Sequence, residues 1–251
     1  MIEIILVGCS GTMGHAVTAA VKTSGNLEIK AGIDKVKAPE YTYPIFPSFD
    51  EADGLKADVV VDFSNPAVFD SMLDYCLKTG TPLVACSTGL SDEQTKALRE
   101  AAKKIPVFKS ANMSLGVNLL CELVKTATRV LGDKYDIEII EKHHNRKVDA
   151  PSGTALMIAN DINSQLDNSM EYIYDRHSER KKRTKKEIGI HSVRGGTIVG
   201  EHEVIFAGTD EIITISHSAG SKALFATGAV SAALFIVKKE PGLYTMSDLL
   251  K

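Results

Sequence analysis

The segment Ile2-Glu3-Ile4-Ile5-Leu6-Val7-Gly8-Cys9-Ser10-Gly11-Thr12-Met13-Gly14 decides the fold. Ile2–Val7 is a short apolar run rich in β-branched residues, which reads as a strand. It runs into three glycines spaced G-x-x-G-x-x-G, and a helical pattern then continues through Val17 and Val21. A second strand-like run, Leu27–Ile33, ends at Asp34, 20 residues after Gly14. Glycine permits a tight turn and lets backbone amides approach a pyrophosphate. The helix N-terminus adds a partial positive charge. A carboxylate at that distance suits a ribose hydroxyl. The spacing departs from the commoner G-x-G-x-x-G, so the reading rests on the order strand, loop, helix, strand, acid. A glycine-rich turn without a ligand is the alternative. Lys35, with Lys37 close by, could accept a 2′-phosphate, so the segment predicts tolerance of both NAD and NADP.

Working outward, strand-like and helix-like patterns alternate. Ala57–Phe63 is a nearly continuous apolar strand, as strands buried on both faces tend to be. Asp70–Lys78 is helical, Pro82–Ala85 is a strand, and Ser91-Asp92-Glu93-Gln94 forms a capping box for a helix to about Lys104. Val107-Phe108 begins another strand. Alternation of this kind predicts a parallel sheet with helices on both faces. The pattern then changes. Leu120, Leu123, Val124, Ala127 and Leu131 share one helical face, and Gly132 ends that helix. After a strand at Ile137–Glu141 and a helix carrying Ala155, Ala159, Ile162 and Leu166, three strands follow: Ile188–Val193, Thr197–Phe206 and Glu211–His217. The last two are joined by a turn at Ala207-Gly208-Thr209-Asp210.

The expected architecture is therefore α/β: a Rossmann-like doubly wound parallel sheet with a second α+β domain built on a mixed or antiparallel sheet. The dinucleotide-binding domain is expected at residues 1–114 plus 222–251, with helix Leu224–Val237 returning to it. Residues 115–221 are expected to form the second domain. The polar stretch Ser164–Glu187, with its basic run Arg180–Lys186, reads as a solvated loop.

Composition narrows the function. The 251 residues carry 29 Lys and Arg against 32 Asp and Glu, a net charge of −3, so no global basic field draws in nucleic acid or anionic lipid. The longest apolar stretch, near Gly228–Val237, is well short of the roughly 20 residues of a membrane span. Met1–Val7 lacks the basic n-region of a signal peptide. Cys9, Cys76, Cys86 and Cys121 are scattered without a C-x-x-C pair, which suits reduced thiols in a cytoplasmic protein.

The chemistry concentrates in Glu141-Lys142-His143-His144-Asn145-Arg146-Lys147-Val148-Asp149-Ala150-Pro151-Ser152-Gly153-Thr154-Ala155. Adjacent histidines on an extended chain point to opposite sides, so His143 and His144 are not expected to chelate one metal, and no metal site is expected. The cations His143, His144, Arg146 and Lys147 gather where a helix begins, and Ser152-Gly153-Thr154 supplies capping groups and amides. That combination suits a substrate carboxylate. A histidine there can serve as acid or base near neutral pH. A solvated loop with a helix cap is the alternative that composition alone leaves open.

The run His143–Ala155 resembles the signature of bacterial dihydrodipicolinate reductases, also called 4-hydroxy-tetrahydrodipicolinate reductases. Gly8–Gly14, Asp62-Phe63-Ser64, Ser87-Thr88-Gly89, Ala111–Asn118, Arg194-Gly195-Gly196, Gly200-Glu201-His202 and Phe225-Ala226-Thr227-Gly228-Ala229 are similar to further blocks of that family in the same order. The resemblance implies hydride transfer from NADH or NADPH to a cyclic imine dicarboxylate, with loss of water, in lysine and diaminopimelate synthesis. It implies His143 as the acid/base residue and Lys147 as a proton donor that also holds substrate. It places His144, Ser152, Gly153, Thr154 and Lys222 at the substrate. Gly8, Cys9, Ser10, Gly11, Thr12, Met13, Asp34 and Lys35 would hold the pyrophosphate and ribose. Cys86, Ser87, Thr88, Ser110, Ala111, Asn112 and Met113 would lie along the nicotinamide. It further implies a homotetramer, with residues 115–221 as the substrate-binding and oligomerisation domain. Thr12, Cys86 and Lys222 stand where the family commonly has Arg, Gly and Arg, and lysine lacks arginine's bidentate fork. A reductase for a related amino-acid imine and a non-catalytic dinucleotide sensor are the rival readings. The first would share the cofactor site but need fewer cations; the second would not need His143 or Lys147.

Overall fold

Ile4, Ile5, Leu6 and Val7 expose 1% or less of their surface, as do Val59, Val60 and Val61. Strands this apolar on both faces must lie inside a sheet covered on both sides. In the computed structural model, which describes residues 1–36, 40–52 and 54–251 (side chain of Asp133 excepted), they are the central pair of a seven-stranded sheet. Lys37 lies outside the described residues.

The chain divides into two units, Met1–Ser114 with Lys222–Lys251, and Leu115–Ser221. In the first, β1 (Ile2–Val7), α1 (Thr12–Ser24), β2 (Leu27–Ile33), β3 (Ile45–Phe46), β4 (Val59–Asp62), α2 (Phe69–Thr79), β5 (Leu83–Ala85), α3 (Asp92–Ala101) and β6 (Pro106–Lys109) follow in turn. Strand order is β3-β2-β1-β4-β5-β6, extended by a late strand described below, and every pairing is parallel. This is the doubly wound order whose reversal, between β1 and β4, opens a crevice at the carboxyl ends of the strands. The capping box at Ser91 forms as expected, with the Gln94 amide donating to Ser91 Oγ.

The second unit holds α4 (Leu115–Leu131), β7 (Asp136–His143), α5 (Gly153–Ser164), β8 (Glu171–Ile173), β9 (Glu187–Arg194), β10 (Glu201–Ala207) and β11 (Ile212–Ser218). Its sheet order is β11-β10-β7-β9-β8, antiparallel on the β10 side and parallel on the β9 side, so it is mixed. Period-two alternation puts Ile137, Ile139, Ile188, Ile190, Val204 and Phe206 on one face, where α4 and α5 cover them. Each such side chain contributes about 1.5–3 kcal/mol by leaving water.

The chain then returns to the first unit through α6 (Ala223–Ile236), β12 (Gly242–Tyr244) beside β6, and α7 (Met246–Leu249). β3, β8 and β12 escape the sequence pattern because runs of two or three residues show no periodicity. The stretch read as a solvated loop is also more ordered than expected. Arg183 donates to Asp136, Glu138 and the carbonyls of Ile137 and Glu187, and Arg176 bridges Glu138 and Glu187. Arg176, Arg183 and Lys185 are thus tied to carboxylates of β7 and β9.

Within the first unit α6 passes so close to the strand-end loop that a Cβ at Gly228 would collide with the Met113 carbonyl oxygen. Gly228→Ala is expected to lose about 1–3 kcal/mol of stability through that overpacking. Urea denaturation reads it, and an unchanged midpoint would contradict the close approach.

Candidate active site

Gly8 follows β1 with φ +76, a conformation glycine adopts at little steric cost, and a Cβ there would lie 2.7 Å from the Phe63 carbonyl oxygen. Only glycine brings the β1 and β4 ends this close. Gly14 packs against the Cys9 carbonyl for the same reason, whereas Gly11 meets nothing closer than 3.5 Å. Gly11 is the N-cap of α1, with no side-chain cap and no acid in the first turn. An anion therefore meets helix-end amides with no acid in the helix's own first turn.

Asp34 accepts from the amides of Ser10 (3.0 Å) and Val36 (3.1 Å). The acid thus fixes the loop as well as facing the cleft. Ser10 uses its hydroxyl on the Val36 carbonyl, and the fully buried Cys9 thiol packs inward against Gly32. Gly8, Gly11, Asp34 and Lys35 border a cleft of about 510 Å³. A second cavity, of about 370 Å³, is walled by Met13, Cys86, Ser87, Thr88 and Ser110–Met113, and Phe63 and Ser64 border both. These residues fit an extended dinucleotide: a glycine cradle no Cβ could share, an acid at one end and a partly apolar wall at the other. Burial, aided by Asp62, pushes the Cys86 thiol well above its ordinary range, so it meets a ligand as a neutral group. Lys109 Nζ donates to the Ser87 carbonyl, holding the following turn.

In the second unit the helix-covered sheet face turns from apolar to polar along its length. Opposite Ile137 and Ile139 stand Phe206 and Val204; opposite Glu141 stands His202. On the other side Ser192 pairs with Glu141, and Arg194 with His143. His143 shares the face of Glu141 because residues two apart on a strand point the same way. Glu141 has no exposed side-chain surface, yet it is an acceptor four times over. Its Oε2 takes His143 Nδ1 (2.6 Å) and Arg194 Nη1 (2.8 Å), and its Oε1 takes Arg194 Nη2 (2.6 Å) and the Ser152 amide (3.1 Å). Burial alone would raise its pKa; bonds from Arg194, Ser192, His143 and Ser152 overcome that and hold it at about 2. Arg194 also donates to the Asp149 carbonyl, tying down the loop that carries His144 and Lys147. Lys147 pairs with Asp149 at 2.7 Å.

Ser152 departs from its expected role. It is 2% exposed. Its hydroxyl caps α5 by accepting from the Ala155 amide and lies 3.1 Å from His202 Nε2, and its amide belongs to Glu141. It builds the helix start rather than meeting a ligand. Gly153 and Thr154 form the first turn of α5, where amides lack intrahelical acceptors. Lys222 belongs to the first unit, as the N-cap of α6. Glu141, Arg194 and His202 were missed as site residues. The signal for Glu141 was present, a Glu-x-His pair on a strand, but Arg194 and His202 arrive only through sheet pairing. Among the described residues no three His, Cys, Asp or Glu side chains are grouped to hold a metal ion, and no helix is long and apolar enough to cross a membrane.

A strand–glycine loop–helix–acid unit, in one chain with a carboxylate-paired histidine among cations, defines an oxidoreductase that uses a pyridine nucleotide. Residues 2–113 match the family described as Dihydrodipicolinate reductase, N-terminus, and residues 116–250 match its C-terminus. The chain belongs to the dihydrodipicolinate reductase family. It is 51% identical to the 4-hydroxy-tetrahydrodipicolinate reductase of Caldanaerobacter subterraneus subsp. tengcongensis, across 100% of this chain and 99% of that one. It is 47% identical to the enzyme of the same name from Clostridium tetani, across 100% and 97%. Among solved structures, a dipicolinate-bound dihydrodipicolinate reductase from Paenisporosarcina sp. TG-14 superposes with a TM-score of 0.81 at 25% identity, covering 98% of this chain and 97% of that one.

Burial, reinforced by the charge of His143, pushes the His202 pKa from 6.5 down to about 4. Unfolded His202 takes up its proton near 6.5 and folded His202 resists until about 4, so stability is expected to fall as pH drops through that window. The loss amounts to roughly 3 kcal/mol. His202→Gln should flatten this part of the stability–pH curve; a slope that survives in the variant would assign it to other groups.

Proposed function

We propose that this protein reduces 4-hydroxy-tetrahydrodipicolinate, with loss of water, to tetrahydrodipicolinate, the step by which its family serves diaminopimelate and lysine synthesis. The observation that carries the reading is the Glu141–His143 pair at the edge of a cation-rich loop and the start of α5. Together these parts suit a substrate that bears carboxylates and must gain a proton.

Bound NADH or NADPH supplies the hydride. The Gly8–Met13 loop and the first turn of α1 hold its pyrophosphate, Asp34 and Lys35 its adenosine ribose, and Cys86–Thr88 with Ser110–Met113 its nicotinamide end. Asp34 favours an unmodified 2′-hydroxyl, and the exposed Lys35 provides charge for a 2′-phosphate. His144 and the first turn of α5 at Gly153 and Thr154 bind the substrate carboxylates. Lys147 neutralises them and donates a proton. His143 donates and recovers a proton at Nε2, since Nδ1 is engaged by a carboxylate that can only accept.

Two further proposals concern the protein's setting. The sheet face bearing Ile140, Ile205 and Val193 lies opposite that covered by α4 and α5, and we assign it to a homotetramer interface. Four free cysteines, three of them buried, suit the cytoplasm.

Condensing pyruvate with aspartate semialdehyde on the preceding synthase, then following loss of NADH and NADPH absorbance in parallel, tests the reaction. Oxidation is expected only when the condensation product is present. His143→Ala should cut turnover by about 10²- to 10⁴-fold while dinucleotide binding is retained. Turnover within twofold of the parent would remove His143 from the acid/base role.

A further inference from the structure

Glu141 is a carboxylate with no exposed side-chain surface, yet it joins His143, Arg194 and the start of α5. Through Oε2 it meets His143 Nδ1, through Oε1 the amide of Ser152 at the α5 start, and through both oxygens the Arg194 fork. A carboxylate can only accept, so neutral His143 must carry its proton on Nδ1 and leave Nε2 bare. The Nε2 edge faces Gly200, where a Cβ would stand only 3.0 Å away, so glycine lets the backbone lie close to that edge without crowding it. The ring is held on a second side by His202, edge-on at a centroid distance of 5.3 Å.

We infer that Glu141 is the positioning residue of this enzyme: it fixes the Nδ1-protonated tautomer of His143, stabilises the imidazolium, and through the same carboxylate locks the start of α5 at a set distance from that ring. Arg194 keeps Glu141 ionised and oriented, and by bonding the Asp149 carbonyl it extends the same lock to the loop between them. The inference rests on His143 as the acid/base residue, but its physical content concerns the ring itself. The charged and titratable groups around the ring come from each surrounding element: Glu141 on β7, Arg194 on β9, His202 on β10, with Lys147 from the loop and His217 on β11 acting on His202.

The test uses the full chain labelled with ¹⁵N-histidine, with His143 assigned by His143→Gln. In the parent, the neutral ring is expected to show a protonated Nδ1 and a bare Nε2. In Glu141→Gln the tautomer preference should be lost and the titration midpoint should fall by about one to three units. The high-pH limb of the kcat profile should move down with it, and kcat should fall by about 10²-fold or more. Dinucleotide affinity should stay within twofold, because that site is built from other residues. A purely structural Glu141 would lower the melting temperature without moving the midpoint or the limb. If Glu141→Gln does not fold, the charge-free pair Glu141→Gln with Arg194→Met carries the same expectations, since it strands neither charge. An Nε2-protonated neutral ring in the parent, or an unmoved midpoint in the variants, overturns the inference. Unchanged turnover in His143→Gln would instead overturn the acid/base reading, and the ring shifts would still judge Glu141.

Discussion

A carboxylate with no exposed surface has to find inside the protein everything water would have offered it. Glu141 finds it in a bidentate arginine, a histidine and a backbone amide, and the second unit is arranged around that requirement. Arg194 must stand on the neighbouring strand, Ser152 must begin α5 within reach, and His143 must sit two residues further along the same face. The network also decides protonation. The carboxylate stays ionised to about pH 2, and the buried His202 stays neutral down to about pH 4. Near neutral pH the first is a fixed charge and the second a fixed dipole, both beside the His143 ring.

The apolar rows beneath the site make this affordable. Ile137 with Phe206 and Ile139 with Val204 anchor β7 and β10 in register, and a slip of one residue would turn Glu141 toward the opposite face. Site and core are successive rows of one surface. The first unit follows a parallel logic. Gly8 and Gly14 allow backbone contacts that a Cβ would forbid: Gly8 brings the β1 and β4 ends together at the crevice, and Gly14 seats α1 against the Cys9 carbonyl. Asp34 then braces the loop by accepting the Ser10 amide, so the acid expected at the ribose is also part of the cradle.

How much of this was legible in the sequence depends on how local each signal is. β1, the glycine loop, α1, β2 and Asp34 follow one another, and their order alone marks the dinucleotide-binding unit. The capping box at Ser91 and the return of the apolar helix at Ala223–Ile236 are equally local. The His143–Ala155 run marked itself by its density of cations before a helix start. Ser152 shows where local reading fails. A serine at a helix start among cations looks like a ligand, but pairing brings Glu141 and His202 to it and consumes both its amide and its hydroxyl. The basic run Arg180–Lys186 is the exposed loop its charge implies, but local reading could not show that Arg183 is held by acids 45 and 47 residues away.

The sequence by itself therefore determined the two-unit α/β architecture, the glycine cradle with its acid, and the histidine–lysine loop, because hydrophobic period, turn chemistry and charge clustering act over a few residues. Only the tertiary structure decided which side chains meet that loop. Arg194 lies 53 residues from Glu141, and Ser152 lies 50 from His202. Their meeting depends on the register of β7 with β9 and β10, a cooperative property of the packed sheet that no stretch of sequence carries alone.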